Sequence, residues 1–384
     1  MKMWMIVGVS ITLLLGASCK KGANGVPDTG GGDSLANNTP TWELQDKKEI
    51  FGFDGQQRYS YCPGIVKEDN GTTHLFFCGT QNRIMVDNIY HISIGPDGTQ
   101  TPPKVVLQPG PPGAWDDHHT CDPSVIKGNF RMNGTAYQYA LFYLTNMYGV
   151  DYNEIGVAFS NDLNADSWVK YPYQLVKKTW AAAGNQVIGA ANAWGVGQPS
   201  AVSLDEKGKV LLTYTIGDID GTRVVFTQVD MSDMDAYVAG VPATMTNNGL
   251  SNLQYNGNDV TTDADVAVDV ADSMIVIARP VHPNPDNTYP AYIETAVEVA
   301  YLPLNDFLHA TGAWKQMLRI SPGISGYPRN HNPGIERDAY GRIKDWENPV
   351  VYYTVSLAAP DVAPAGTRFA EWTYHIWRGA VVKK

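Results

Sequence analysis

Five times along the chain a strand opens with a polar or small residue, usually a proline, then a small residue and an apolar one. The openings are Cys62-Pro63-Gly64-Ile65, Asp122-Pro123-Ser124-Val125, Gln198-Pro199-Ser200-Ala201, Asp263-Ala264-Asp265-Val266 and Asn332-Pro333-Gly334-Ile335. Each is followed by a turn and an aromatic or β-branched run, at 73–77, 139–144, 210–215, 274–278 and 350–354. A third segment of alternating apolar and polar residues closes each unit, at 88–98, 154–163, 221–233, 296–306 and 371–381, and most of these end in an Asx or Gly turn. A period of about 60–75 residues, with one hairpin and further strands per unit, is the pattern of radial repetition. The expectation is an all-β chain folded as a five-bladed β-propeller.

The 384 residues and 43% apolar content would build one to three domains, and the repeat favours one. Charged residues make up only 17%, and long helix-period stretches are absent. Residues 1–19 read as a lipoprotein-type signal: Lys2, an apolar run to Leu15, then Gly16-Ala17-Ser18-Cys19, with Gly16 where such a box usually carries leucine. Ordinary cleavage nearby is the alternative. Residues 20–45, rich in Gly, Asn, Asp, Ser and Pro, have little to bury and are expected to form a flexible linker before a propeller domain at 46–384. These features place the chain in a bacterial cell envelope, lipid-anchored at Cys19 on the outer membrane or cell surface, or else periplasmic or secreted. A net charge of −11 argues against a nucleic-acid partner. Besides Cys19 there are Cys62, Cys78 and Cys121; pairing of Cys62 with Cys78 depends on the length of the first hairpin loop and stays open.

The run DPSVI, a tyrosine-rich strand, then IGVAFSNDL and the downstream Trp168 resembles the blades of the five-bladed glycoside hydrolases, families 43, 32, 68 and 117. The resemblance covers most of residues 50–384. In family 43 it implies an Asp base on the first blade, a pKa-tuning Asp on the second and a Glu acid on the third. This chain has Cys62, Asp122 and Gln198 there, so only the role of Asp122 carries over.

The first strand of each propeller blade lines the central channel, so Cys62, Asp122, Gln198, Asp263 and Asn332 are expected to ring its mouth, with Tyr61, Cys121, Gly197, Thr262 and His331 beside them. That ring suits a hydroxyl-rich ligand, a poly- or oligosaccharide. Glycosidic cleavage needs one protonated and one ionised carboxyl. The candidates are Asp122 and Asp263, with an acid from the loop Asp116-Asp117-His118-His119 or from Glu336. His119 fits because an imidazole titrates near neutrality and family 117 members are thought to use a histidine acid. Asp117, Gln198, Asn332 and Tyr61 are candidate sugar contacts, and Trp115 and Trp194 candidate stacking platforms; Trp346 is expected to cover a blade edge. His331 resembles the channel histidine that holds a calcium ion in some family 43 relatives, although calcium wants six to eight oxygens. No cofactor is required, and a channel calcium is the one candidate.

Each residue has a plainer alternative. Asp122 would cap backbone amides before its proline, His118 and His119 would be an exposed pair, and Asp263 and Asp265 fall on the same side of one strand. The expected activity is glycoside hydrolysis at the propeller mouth. The alternatives are a non-catalytic glycan-binding propeller and a structural propeller that presents loops to a protein partner.

Overall fold

The computed structural model describes residues 41–53, 58–80, 86–150, 152–178, 194–218, 221–251, 253–255, 258–281, 293–357 and 373–384. The signal, Cys19 and the linker to residue 40 lie outside them.

Five antiparallel sheets form the body. Blade one is Tyr59–Lys67, Thr73–Thr80, Asn88–Ile94 and Lys104–Leu107; blade two is His119–Met132, Thr135–Asn146, Glu154–Ser160 and Val169–Lys170. Blade three is Gly195–Ser203, Lys209–Asp218 and Gly221–Asp230, edged by Val238–Ala239 and Ala243–Thr244. Blade four is Asp265–Asp269, Met274–Val281, Ala296–Pro303 and Lys315–Ile320. Blade five takes Arg329–Ile335, Val350–Ser356 and His375–Lys383 from the end of the chain and Trp42–Gly52 from its beginning. Trp42 pairs with Lys383 and Gly52 with His375, so the ring is clasped by strands from both termini. The clasp starts four residues inside the stretch expected to be linker.

The first strands of neighbouring blades touch in one closed cycle, one to five and back to one. Each sheet is therefore covered on both faces. In blade one Phe76 packs with Val125, Leu141 and Trp168 of blade two, while Leu75 and Phe77 pack with Tyr352 and Ile376 of blade five. Three more clusters fill the seams between blades two and three, three and four, and four and five. Burial on both faces explains why the second strands are near-continuous apolar runs and do not alternate. Trp346 packs on the Tyr301 ring at 4.4 Å in the last of these seams. A histidine pair lies by the seam of blades one and two: His74 and His91 are each 1% exposed, with Nδ1 of His74 3.0 Å from Nε2 of His91.

The repeated opening has a structural cause. Its leading residue adopts a left-handed backbone in all five blades, with φ of 50° at Cys62, 49° at Asp122, 54° at Gln198, 51° at Asp263 and 39° at Asn332. Strand register slips at this point between Tyr61 and Gly64, Cys121 and Ser124, Gly197 and Ser200, and His331 and Gly334, which marks a bulge in four of the blades. Two residues on, the side chain meets the next blade. A Cβ added to Gly64 would lie 2.1 Å from the Pro123 carbonyl oxygen, and one on Gly334 2.1 Å from that of Pro63. Where the position is polar it ties the seam: Ser124 Oγ accepts the Ala201 amide at 3.0 Å, Ser200 Oγ that of Val266 at 3.0 Å, and Asp265 Oδ2 that of Ile335 at 2.7 Å.

One layer further along the channel sits Arg337, 3% exposed. Its guanidinium donates to Ser124 Oγ at 2.8 Å, Ser200 Oγ at 3.2 Å and the Val266 carbonyl at 2.5 Å, and lies 3.2 Å from Asp265 Oδ1. The cation joins blades two, three and four to the segment that follows the first strand of blade five.

Candidate functional site

Cys62, Asp122, Gln198, Asp263 and Asn332 line one central pocket with the residues that follow them. The left-handed backbone turns each leading side chain out of the sheet and into the channel, where the five are linked to one another. Cys62 donates its thiol proton to the Asp122 carboxylate, which also accepts the Gln198 amide. Gln198 Oε1 accepts the Asp263 amide at 3.0 Å and the Thr262 hydroxyl at 2.8 Å, and Asn332 Nδ2 donates to Asp263 Oδ2. Asn332 Oδ1 is buried with no hydrogen-bond partner. Asp265 is spatially distinct from Asp263: it serves the seam and Arg337.

Burial pushes Asp122 up to about 6, with Asp87 adding to the rise and His331, the Cys62 thiol and the Gln198 amide opposing it. Asp263 is raised well above the carboxylate range, first by burial, then by the charges of Asp122, Glu294 and Asp265. Burial raises both carboxyls of the pocket and the charge of Asp122 adds to the rise of Asp263, the setting in which a carboxyl pair supplies one acid and one base. The Cys62 thiol is also driven upward, by burial and by both aspartates.

A belt of aromatic and carboxylate–imidazole contacts surrounds the mouth. Asp87 accepts from the Tyr59 hydroxyl at 2.5 Å and the Tyr61 hydroxyl at 3.1 Å. His119 Nδ1 accepts the Asp87 amide at 3.0 Å and lies 3.1 Å from the Asp87 carboxylate. Tyr374 lies between Tyr61, with centroids 5.3 Å apart, and His331, at 5.9 Å. His331 Nδ1 pairs with the buried Glu294. One imidazole already committed to a carboxylate does not make the oxygen cage calcium takes, so the expected ion at His331 finds no fit there and no step is routed through it.

The remaining sequence candidates lie elsewhere. Asp117 accepts the Gly113 and Tyr148 amides at 2.6 Å each, and these bonds lower its pKa; it shapes its loop. Asp116 is buried against Lys170 at 2.5 Å. His118 packs edge-on to His119 at 4.0 Å, and burial, then His119, lowers its pKa. The Trp115 indole lies 6.5 Å from the Tyr143 ring and donates to the Pro172 carbonyl at 3.1 Å, a packing role. Trp194 sits at the seam of blades two and three, its N–H 3.4 Å from Thr222 Oγ1. Glu336 pairs with Lys67 at 2.7 Å, away from the ring. Asp87, Glu294 and Tyr374 were not among the sequence candidates. A signal existed for the two acids: each stands just before the third strand of its blade, as Glu154 begins that of blade two.

The fold defines the chain as a five-bladed propeller of the architecture found in glycoside hydrolases. Among solved structures it is similar to the catalytic domain of a Coprinopsis cinerea GH62 alpha-L-arabinofuranosidase, with 11% identity, TM-score 0.56, and 89% of this chain and 97% of that one covered. A family 117 glycoside hydrolase from the marine bacterium Zobellia galactanivorans gives 9% identity and TM-score 0.55, over 88% and 90% of the two chains. A GH43_1 enzyme from Xanthomonas citri gives 9% and 0.54, over 88% and 91%. No protein-family model matches the chain, and no curated protein matches it.

Proposed function

We propose that the chain is a glycan-active propeller that hydrolyses glycosidic bonds of poly- or oligosaccharides at the channel mouth. The observation that carries this is the meeting of Asp122 and Asp263 in one pocket with Cys62, Gln198 and Asn332. One of the two, kept protonated beside the other, is the proton donor to the leaving oxygen, and its ionised partner serves the anomeric carbon or its attacking water. Gln198 and Asn332 orient the pair from either side. Support comes from the shared architecture with three glycoside hydrolase families and from bound sugars in neighbours of the same fold, such as the GH62 hydrolase crystallised with xylotriose. The signal-like first 19 residues support a tether at Cys19 that displays the propeller at the cell envelope.

The test is release of reducing ends from arabinan, xylan, galactan and agar fragments by wild type, Asp122→Asn and Asp263→Asn. Cleavage by wild type, with loss of about 10²–10⁴-fold in each variant, is expected. Full activity in Asp122→Asn removes that residue from the reaction. Binding of a glycan without any cleavage favours the non-catalytic propeller, for which the thiol at Cys62 and amide at Gln198 are the supporting observations.

A further inference from the structure

We propose that the reduced chain binds a zinc ion on the sulfurs of Cys62, Cys78 and Cys121 and the carboxylate of Asp122. One ligating atom from each lies within 4.8 Å of the other three, and all four residues are buried. In the structure Cys78 and Cys121 are joined as a disulfide between the second strand of blade one and the first strand of blade two, and Cys62 is a free thiol beside it. The bulge at Cys62 sets Tyr61, not Cys62 or Pro63, opposite Cys78, and so leaves Cys78 to pair across the seam. Once that bond is opened, three thiolates and one carboxylate converge from three strands.

That donor set is the chemistry of zinc and not of calcium or magnesium. Tetrahedral coordination with Zn–S of about 2.3 Å places sulfurs ~3.8 Å apart, so ligands already within the pocket close by about 1 Å at most. The two bonded sulfurs move apart instead, and with Cβ atoms about 3.8 Å apart in a disulfide, rotation about Cα–Cβ accomplishes this. A supporting shell is in place. The Asp122 amide donates to Cys78 Sγ at 2.8 Å, Cys121 Sγ lies 3.2 Å from the Tyr61 hydroxyl, and Tyr61 is held by Asp87. The amide offsets thiolate charge at Cys78 and fixes its orientation, while the Tyr61 hydroxyl, whose proton goes to Asp87, packs against Cys121 without donating to it. Cys121 Sγ is already 3.3 Å from Asp122 Oδ1, because the left-handed backbone of Asp122 folds its carboxylate back over the preceding residue.

The loading sequence balances as follows. A phosphine takes two electrons' worth of oxidation, becoming its oxide with the oxygen of water, and the disulfide gains two electrons and two protons to give two thiols. Zinc then displaces the protons of three thiols to the buffer. The loaded site removes Asp122 from the glycan pocket, but metal uptake does not depend on the glycan reading.

The experiment uses the full chain, reduced with a phosphine under argon, and zinc or cobalt(II) alone as probe. One zinc per chain after desalting is expected, together with a thiolate-to-cobalt charge-transfer band and protection of the three buried thiols from alkylation. Cys62→Ser, which leaves the disulfide pair intact, is expected to weaken binding by at least about 100-fold, since even outer-shell losses cost 10–100-fold. A reduced chain that keeps its circular dichroism but takes up no stoichiometric metal overturns the proposal. So does a Cys62→Ser variant that binds as tightly as wild type, equal uptake by the oxidised chain, or unfolding on reduction in the presence of zinc.

Discussion

Lowering the pH from 7 to 5 is expected to cost the fold about 2 kcal/mol through one imidazole. His91 is stacked on His74 with centroids 5.2 Å apart and lies 4.6 Å from the Phe76 ring. Burial first, then the charges of His74 and Lys104, depress its pKa to about 3. In the unfolded chain the ring titrates near 6.5. Because the folded value is the lower one, the unfolded state takes up the proton first. The contribution is complete above pH 6.5 and drains away as pH falls toward 3. At pH 5 the unfolded ring is ~1.5 units below its pKa, which at about 1.36 kcal/mol per unit gives the 2 kcal/mol, rising to roughly 4–5 kcal/mol by pH 3. Burial also lowers His74, partly opposed by Glu68, and that change has the same sign. Urea unfolding followed by tryptophan fluorescence at pH 7, 6 and 5 measures it in wild type and His91→Phe. The variant loses the His74 hydrogen bond at every pH, so the informative quantity is the change between pH 7 and 5, expected to shrink by about 2 kcal/mol. An unchanged pH dependence in His91→Phe refutes the assignment.

Other substitutions probe the architecture and the tether. Arg337→Met removes a buried cation and leaves Asp265 without it, an expected loss of about 3–5 kcal/mol in chemical unfolding. Gly334→Ala drives a methyl onto the Pro63 carbonyl, and a lower thermal midpoint corresponding to roughly 1–3 kcal/mol is expected. Cys19→Ala is expected to move the protein from the membrane to the soluble fraction, and unchanged partition on fractionation counts against a lipid at that residue.

The five-fold body was legible because each blade repeats the same solution to the same problem. A leading residue must turn into the channel, and a small one must follow where the next blade's backbone passes, as Gly64 and Gly334 do against Pro123 and Pro63. The ring members could therefore be named from spacing alone. Partners across blades were not legible, since sequence distance says nothing of which seam a side chain meets. Cys78 reaches Cys121 only because of a bulge that no strand pattern displays. Glu294 and Asp87 share with Glu154 a place at the start of a third strand, a signal in three blades that is weaker than the five-fold strand opening. For Trp115, sequence proximity to a ring aspartate suggested a ligand platform, and what the strand pattern did not display is that its indole N–H is anchored on the Pro172 carbonyl. Asp117 was likewise consumed by two backbone amides of its own loop.

The Arg337 guanidinium beneath the ring fastens blades two, three and four to the end of the first strand of blade five through one buried charge. Three side-chain oxygens and a carbonyl hold the cation, so displacing it breaks four contacts at once and strips Asp265 of its counter-charge. On the hydrolytic reading proposed above, sugar would approach the aspartates from the side of the ring away from this cation.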